Sequence, residues 1–304
     1  MMRAGALLIA LGVSAVVLES SLAAQRGGGA PAGPPVSVTV NGREWTQQQL
    51  FQRNIGGPDD QGTQFPPHKI IGNLYYVGTT SLSAYLVVTP QGNILINTTY
   101  ERNVPVIQKS IEQLGFRFSD TKILLGSHAH GDHQEGDALV KQLTGAQVMA
   151  MAEDVAALQA MKPGGNEHPI DKVLHDQDKV TLGGVLLTAH LTPGHTRGCT
   201  SWTTTVQESG KTYNVLFGCS LRPPGVITPA IEAEFRRAFK VFRALPCDIQ
   251  LGDHGAQYGM QAKYAKLQSG GPNPFVEPAT CMQEADLGET MLNAQLAEQA
   301  AAAK

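Results

Sequence analysis

Residues 127–133 read Ser-His-Ala-His-Gly-Asp-His, which sets four potential metal ligands, His128, His130, Asp132 and His133, within six positions. Imidazole nitrogen and carboxylate oxygen are, besides thiolate, the ligands that zinc takes. The apolar run Ile123–Leu125, between Lys122 and Gly126, reads as a buried strand, so the cluster begins where that strand ends. Alternate residues of an extended segment project to one side, which lets His128 and His130 grip one ion. Asp132 and His133 lie a turn further on and are placed to face a second. The chain has nine histidines and three of them fall in this loop. A merely solvated polar loop is a poor account of that concentration.

The remaining pattern interleaves strands and helices. Leu74–Val77, Ala84–Val88, Ile94–Asn97, Lys122–Leu125, Gln147–Ala150, Lys179–Val180, Val185–Leu191 and Asp248–Leu251 read as strands. Val104–Leu114 repeats apolar residues at helical spacing and stops before Gly115, a natural C-terminal cap. Further helices are predicted over Trp45–Gln52, Ala138–Leu143, Val155–Met161, Ala230–Leu245, Tyr258–Gln268 and Met282–Ala302. Such alternation implies a layered α/β fold. Candidate ligands follow strand ends four times, at 128–133, 195, 219–220 and 254. Loops at one edge of a rigid sheet are where function concentrates.

Composition matters mainly for what it excludes. With 304 residues, 42% of them hydrophobic, the chain can bury a large core. A net charge of −3 without blocks of like charge gives no footing for nucleic acid or a polybasic membrane contact. The N-terminus reads as an export signal: a basic start at Arg3, an apolar run Ala4–Leu18, and Ser21-Leu22-Ala23 before a cut after Ala23. Residues 24–40, with the run Arg-Gly-Gly-Gly-Ala-Pro-Ala-Gly-Pro-Pro, are expected to be a disordered leader to a domain spanning 41–304. The expected destination is periplasmic or secreted, without stable membrane association once the signal is removed.

Export permits disulfides. The four cysteines are Cys199, Cys219, Cys247 and Cys281. Residues 200–206 and 212–217 read as a hairpin around Glu208-Ser209-Gly210, and a hairpin centred on Ser209 sets Cys199 opposite Cys219. Cys247 and Cys281 then pair by elimination.

Two further histidines, in Thr192-Pro193-Gly194-His195-Thr196 and Gly252-Asp253-His254-Gly255, gain weight from the first cluster. Taken together, His-x-His-x-Asp-His, a Pro-Gly-His some sixty residues on and a later His resemble the metallo-β-lactamase superfamily. The finer likeness is to class B β-lactamases of the third subclass. It is carried by Gly198-Cys199-Thr200-Ser201-Trp202, Cys219-Ser220-Leu221 and Tyr258-Gly259-Met260-Gln261-Ala262-Lys263, and runs from about Phe65 to about Pro278.

The resemblance implies a four-layer αββα sandwich with two zinc ions at one edge. His128, His130 and His195 would hold the first ion, and Asp132, His133 and His254 the second. A water acidified by the ions would then open a β-lactam, carbapenems among them. Asp132 would orient that water, and Ser220 would act beside the second metal and contact substrate. Arg222 stands where relatives often carry a small hydroxyl residue, and reads either as a partner for a substrate carboxylate or as a solvated surface arginine. Cys219 lies where another subclass has a metal-ligating cysteine, but the hairpin favours a disulfide. Gln134-Glu135 replaces a more usual Gly-Gly pair, and the loop Arg222-Pro223-Pro224-Gly225 is short. Lactonases and thioester hydrolases of the fold usually bridge their metals with an aspartate from the region of Cys219. Here no aspartate lies between Asp178 and Asp248. A zinc-binding protein without turnover is the third reading. His68, His168, His175 and His190 lack ligand spacing and read as ordinary.

Overall fold

The computed structural model describes residues 37–40 and 43–303. Two large sheets form the centre. The first runs, in spatial order, His68–Ile71, Leu74–Tyr76, Tyr85–Thr89, Gly92–Ile96, Thr121–Leu125, Gln147–Met151 and Lys172–Leu174. The second runs Lys179–Leu182, Val185–Leu191, Thr200–Glu208, Lys211–Gly218 and Ile249–Gly252. The last four strands of the first sheet run parallel to one another, as does the final pair of the second.

Strand periodicity explains the layering. Tyr85, Val87, Ile94, Ile96, Ile123, Leu125, Met149 and Met151 point into a core that they share with Leu187, Ala189, Trp202, Phe217 and Leu251 of the second sheet. The residues between them, Leu86, Leu95, Leu124 and Val148, face outward against Ile107 and Ile111 of helix Val104–Gln113 and Val140 of helix Asp137–Thr144. Both faces are covered, which is why these strands read as unbroken apolar runs. On the far side Leu216 packs with Phe235, Phe239 and Phe242 of helix Pro229–Ala244 and Leu292 of helix Gln283–Ala302. The result is helix, sheet, sheet, helix.

Several boundaries differ from expectation. The predicted signal, residues 1–23, lies outside the described residues. The predicted leader, 24–40, ends in a strand: Ser37–Val40 pairs with Arg43–Thr46. The helix predicted over Trp45–Gln52 runs Gln47–Ile55, because Thr46 caps it. The Thr46 hydroxyl accepts from the Gln49 N–H at 3.2 Å while the Gln49 side chain accepts from the Thr46 N–H at 2.9 Å. The helix predicted from Tyr258 starts at Met260, after Gly259 at φ 68°. Strands His68–Ile71 and Lys172–Leu174, short and at the two edges of the first sheet, carry no periodic signal.

The hairpin register is also corrected. Glu208 pairs with Lys211 and Trp202 with Phe217, so the turn holds only Ser209 and Gly210 and the register shifts by one residue. Their φ values of 52° and 77° are the positive pair that a tight hairpin turn demands. Cys199 and Cys219 lie beyond the paired ends, where the strands no longer impose register, and they bond with Cα atoms 5.8 Å apart. Cys247 bonds Cys281 at a Cα separation of 6.1 Å.

Candidate metal centre

All the candidate ligands lie just beyond the carboxyl ends of strands, Asp132 and His133 in the short helix Gly131–Gln134 and the others in loops, where open α/β sheets place their ligands. The loop 128–133 follows Thr121–Leu125, His195 follows Val185–Leu191, and His254 follows Ile249–Gly252. Their ligand atoms gather into two groups, His128 with His130 and His195, and Asp132 with His133 and His254. Within each group these atoms lie within 4.8 Å of one another.

In the first group, His128 Nε2 and His130 Nδ1 face each other at 3.0 Å. The His195 ring stands edge-on to both, with centroids 4.7 and 4.9 Å away. His195 Nδ1 donates to the Arg222 carbonyl at 2.9 Å, which leaves the neutral ring's lone pair on Nε2. Burial, reinforced by neighbouring imidazoles, lowers the basicity of His128, and burial likewise lowers that of His195. Burial and then His195 push His130 down to about 3. The three rings are therefore held neutral, the form that binds metal.

The second group carries the charge. Asp132 Oδ2 stands 3.3 Å from His133 Nε2 and 3.7 Å from His254 Nε2. Burial favours protonation of Asp132, but His133 outweighs it and keeps the carboxyl well below the usual range. Burial likewise opposes a proton on His133, and Asp132 more than offsets this. His254 falls to about 3, first through burial and then through His133.

The donors fit a pair of divalent cations. The rings converge on one another while His133 Nδ1 and His254 Nδ1 are buried without hydrogen-bond partners. Five imidazoles and a carboxylate form a set of the kind that zinc takes. Two further groupings carry less. Cys199 and Cys219 also approach His128, but their sulfurs are bonded to each other and offer no thiolate. Asp253 lies near His128 and His133 on the buried side.

The surrounding bonds explain the placement. Asn97 and Thr99 adopt φ of 61° and 57°, uncommon for non-glycine residues and strained for a β-branched one. This bend lets the N–H groups of Thr98 and Thr99 both donate to the His133 carbonyl, at 2.9 and 3.0 Å. Asn97 accepts from the Ser127 N–H at 2.9 Å. Asp253 accepts from the Ser220 N–H at 2.8 Å and lies 3.4 Å from His128 Nδ1. Ser220 is thus buried at this edge through its backbone.

Arg222 departs from the expected substrate contact. Its Nη2 meets Glu284 at 2.8 Å, and both side chains are nearly enclosed. That guanidinium is committed to the C-terminal helix rather than free for a substrate carboxylate. The same helix holds the loop beyond: Gln295 donates to the Pro224 carbonyl at 2.7 Å, and Gln299 accepts from the Ile227 N–H at 2.7 Å. His168, read as ordinary, is buried 3.3 Å from Asp137 and ties its loop to the helix after the ligand cluster. Sequence reading assigned no role to Asp154, Asp253 or Glu284. Only Asp253 carried a signal, standing beside His254.

Fold and site together define a metal-dependent hydrolase of the αββα class. Residues 77–207 match the family model of the metallo-beta-lactamase superfamily. The native FEZ-1 metallo-beta-lactamase from Legionella gormanii is 46% identical with a TM-score of 0.72, over 77% of this chain and 98% of that one. BJP-1, a subclass B3 metallo-beta-lactamase of Bradyrhizobium japonicum, is 36% identical with a TM-score of 0.74, over 81% of this chain and 98% of that one. A hydroxyacylglutathione hydrolase of Methylobacterium nodulans is 30% identical over 125 residues, which span 41% of this chain and only 39% of that protein. The chain belongs to the metallo-β-lactamase superfamily and is B3-like within it.

Proposed function

We propose that this protein is an exported zinc β-lactamase that hydrolyses the β-lactam amide, carbapenems included. The observation that carries the reading is the pair of three-donor groups, in a chain that covers 98% of a metallo-β-lactamase at 46% identity. Three protein donors per ion leave coordination open for water and substrate. When bound, the two zinc ions supply an acidified water and polarise the carbonyl. The chain's residues do the rest. The Arg222 carbonyl orients His195 through Nδ1. Asp132, with Oδ2 turned to His133 and His254, offers Oδ1 to orient the attacking water and to take its hydrogen bond. Ser220, whose N–H donates to Asp253, is the residue this reading assigns to the substrate beside the second ion. Water adds across the C–N bond and the product is a ring-opened amino acid, with no covalent enzyme intermediate. Resistance to β-lactams follows from this reading, as does a periplasmic or secreted location. Among the described residues no helix is long and apolar enough to cross a membrane.

The partial likeness to hydroxyacylglutathione hydrolases favours a second reading, thioester hydrolysis. Against it stands Cys219, bonded to Cys199 where such enzymes usually place a bridging aspartate. The deciding assay offers the purified protein a carbapenem, a penicillin, an acyl-glutathione thioester and an acyl-homoserine lactone, each with and without chelator. Chelator-sensitive β-lactam turnover is expected. Thioester or lactone turnover without β-lactam turnover would sink the proposal.

A further inference from the structure

The three-histidine group is assembled from two loops that are far apart in sequence, and something must hold them in register. We infer that Asp154 is the positioning residue for this group, tying the loop of His128 and His130 to the loop of His195; the inference rests on the metal-site reading above.

Asp154 ends the single turn Ala152–Asp154, between strand Gln147–Met151 and helix Val155–Met161. An aspartate at that position would ordinarily cap its helix. Here the side chain makes no capping bond. It is 3% exposed and turns to the two loops instead. Oδ2 accepts from the Ala129 N–H at 2.9 Å and from the Thr196 hydroxyl at 2.8 Å. Oδ1 accepts from the Gly198 N–H at 2.7 Å. Ala129 lies between His128 and His130, and Thr196 is the neighbour of His195. One buried carboxylate thus takes three donors, two from the loop of His195 and one from the loop of the other two histidines.

Gly198 makes the approach possible. A Cβ there would stand 2.6 Å from Asp154 Cβ and Cγ, so a side chain at position 198 would push the carboxylate away. Bonds to an ionised carboxylate are the shorter and stronger kind. Asp154 touches no ligand ring, so it acts on the metal only through where it sets the backbone. Sites of this sort need their ligands held to within about 0.5 Å. The second group receives no bond from Asp154. Its loops are set by Thr98, Thr99 and Asp253. The influence of Asp154 is therefore lopsided between the two groups.

The test is cobalt titration of the metal-free full chain, followed by visible absorption and by competition with a chelator. His195→Ala and His254→Ala assign the two binding steps to their groups. Asp154→Asn keeps the volume but turns an NH2 toward donors, and is expected to weaken the three-histidine step about 10- to 100-fold. The other step is expected to be unchanged. Thr196→Val is expected to weaken the same step less, and Thr196→Ser to restore it. The inference is overturned if folded Asp154→Asn and Thr196→Val, judged by near-ultraviolet circular dichroism, bind both ions as the unaltered protein does. It is equally overturned if both steps weaken together, which would make Asp154 a general support. Should Asp154→Asn fail to fold, the Val and Ser variants at position 196 decide. Failure of the unaltered protein to bind cobalt would instead overturn the metal-site reading itself.

Discussion

The two ligand groups are built by different means although they share one loop. The His128/His130/His195 group contains only imidazoles, all held neutral by burial, and its geometry is imposed by backbone ties from outside. The Asp132/His133/His254 group contains its own carboxylate and holds itself partly by charge. The contrast teaches that one group has its structure arranged for it, while the other contributes a restraint of its own. Asp253 belongs to neither but reaches both. It stands beside His128 and precedes His254 in the chain.

The largest effect expected is loss of turnover on chelation, recovered by zinc. His195→Ala and His254→Ala should each reduce bound metal to one ion per chain, measured by elemental analysis. Retention of both ions in either variant would break the division into two groups. Next in size, replacing Cys199 and Cys219 together by serine should destabilise the fold by about 3 kcal/mol, since the bond closes a loop with a sequence separation of 20. That change should also weaken the three-histidine group more than the other, because Cys219 lies against His128. Urea unfolding and cobalt titration would read the two consequences separately.

Asp253→Asn should cost about 1–3 kcal/mol by disturbing a buried acceptor. It should weaken both metal steps, in contrast to Asp154→Asn. A one-sided loss would remove Asp253 from its bridging place. The smallest effect concerns His168. Burial opposes its proton, but Asp137 outweighs this and raises its basicity above the usual 6.5. With the folded value raised, the stabilisation is fully present below the unfolded value and is lost as pH rises through the folded one. His168→Gln should therefore cost about 1 kcal/mol in mildly acidic solution and less at alkaline pH. An unchanged difference across that range would show that His168 acts only by packing.

The layered fold was legible because its central strands are apolar on both faces and its helices are not. Val155–Met161 and Val185–Leu191 match their predicted bounds. The edge strand Lys172–Leu174 was illegible, since three residues at a sheet margin carry no period. In the hairpin, the one-residue error arose from reading Glu208 as part of the turn. Only the positive φ of both Ser209 and Gly210 marks a two-residue turn, and Ser209 does not advertise it. The ligands themselves were legible because chemistry restricts them to few residue types and they cluster. Their supports were not. Asp154, Asp253 and Glu284 are ordinary acids in sequence, and what distinguishes them is where distant loops meet. The place of Arg222, neither solvated nor free for a ligand, was illegible for the same reason. Its partner Glu284 lies 62 residues further along.

That separation has a consequence in time. The carbonyl that fixes His195 belongs to Arg222, whose side chain is anchored by Glu284 in the helix Gln283–Ala302. His128 and His130 leave the ribosome more than a hundred residues before that helix does. A restraint on the three-histidine group is thus made long after the group's first two ligands. Metal capture by this group is expected to wait for the helix Gln283–Ala302 rather than accompany synthesis of the ligand loop, so that a polypeptide lacking that helix carries the ligands without yet being a trap for metal.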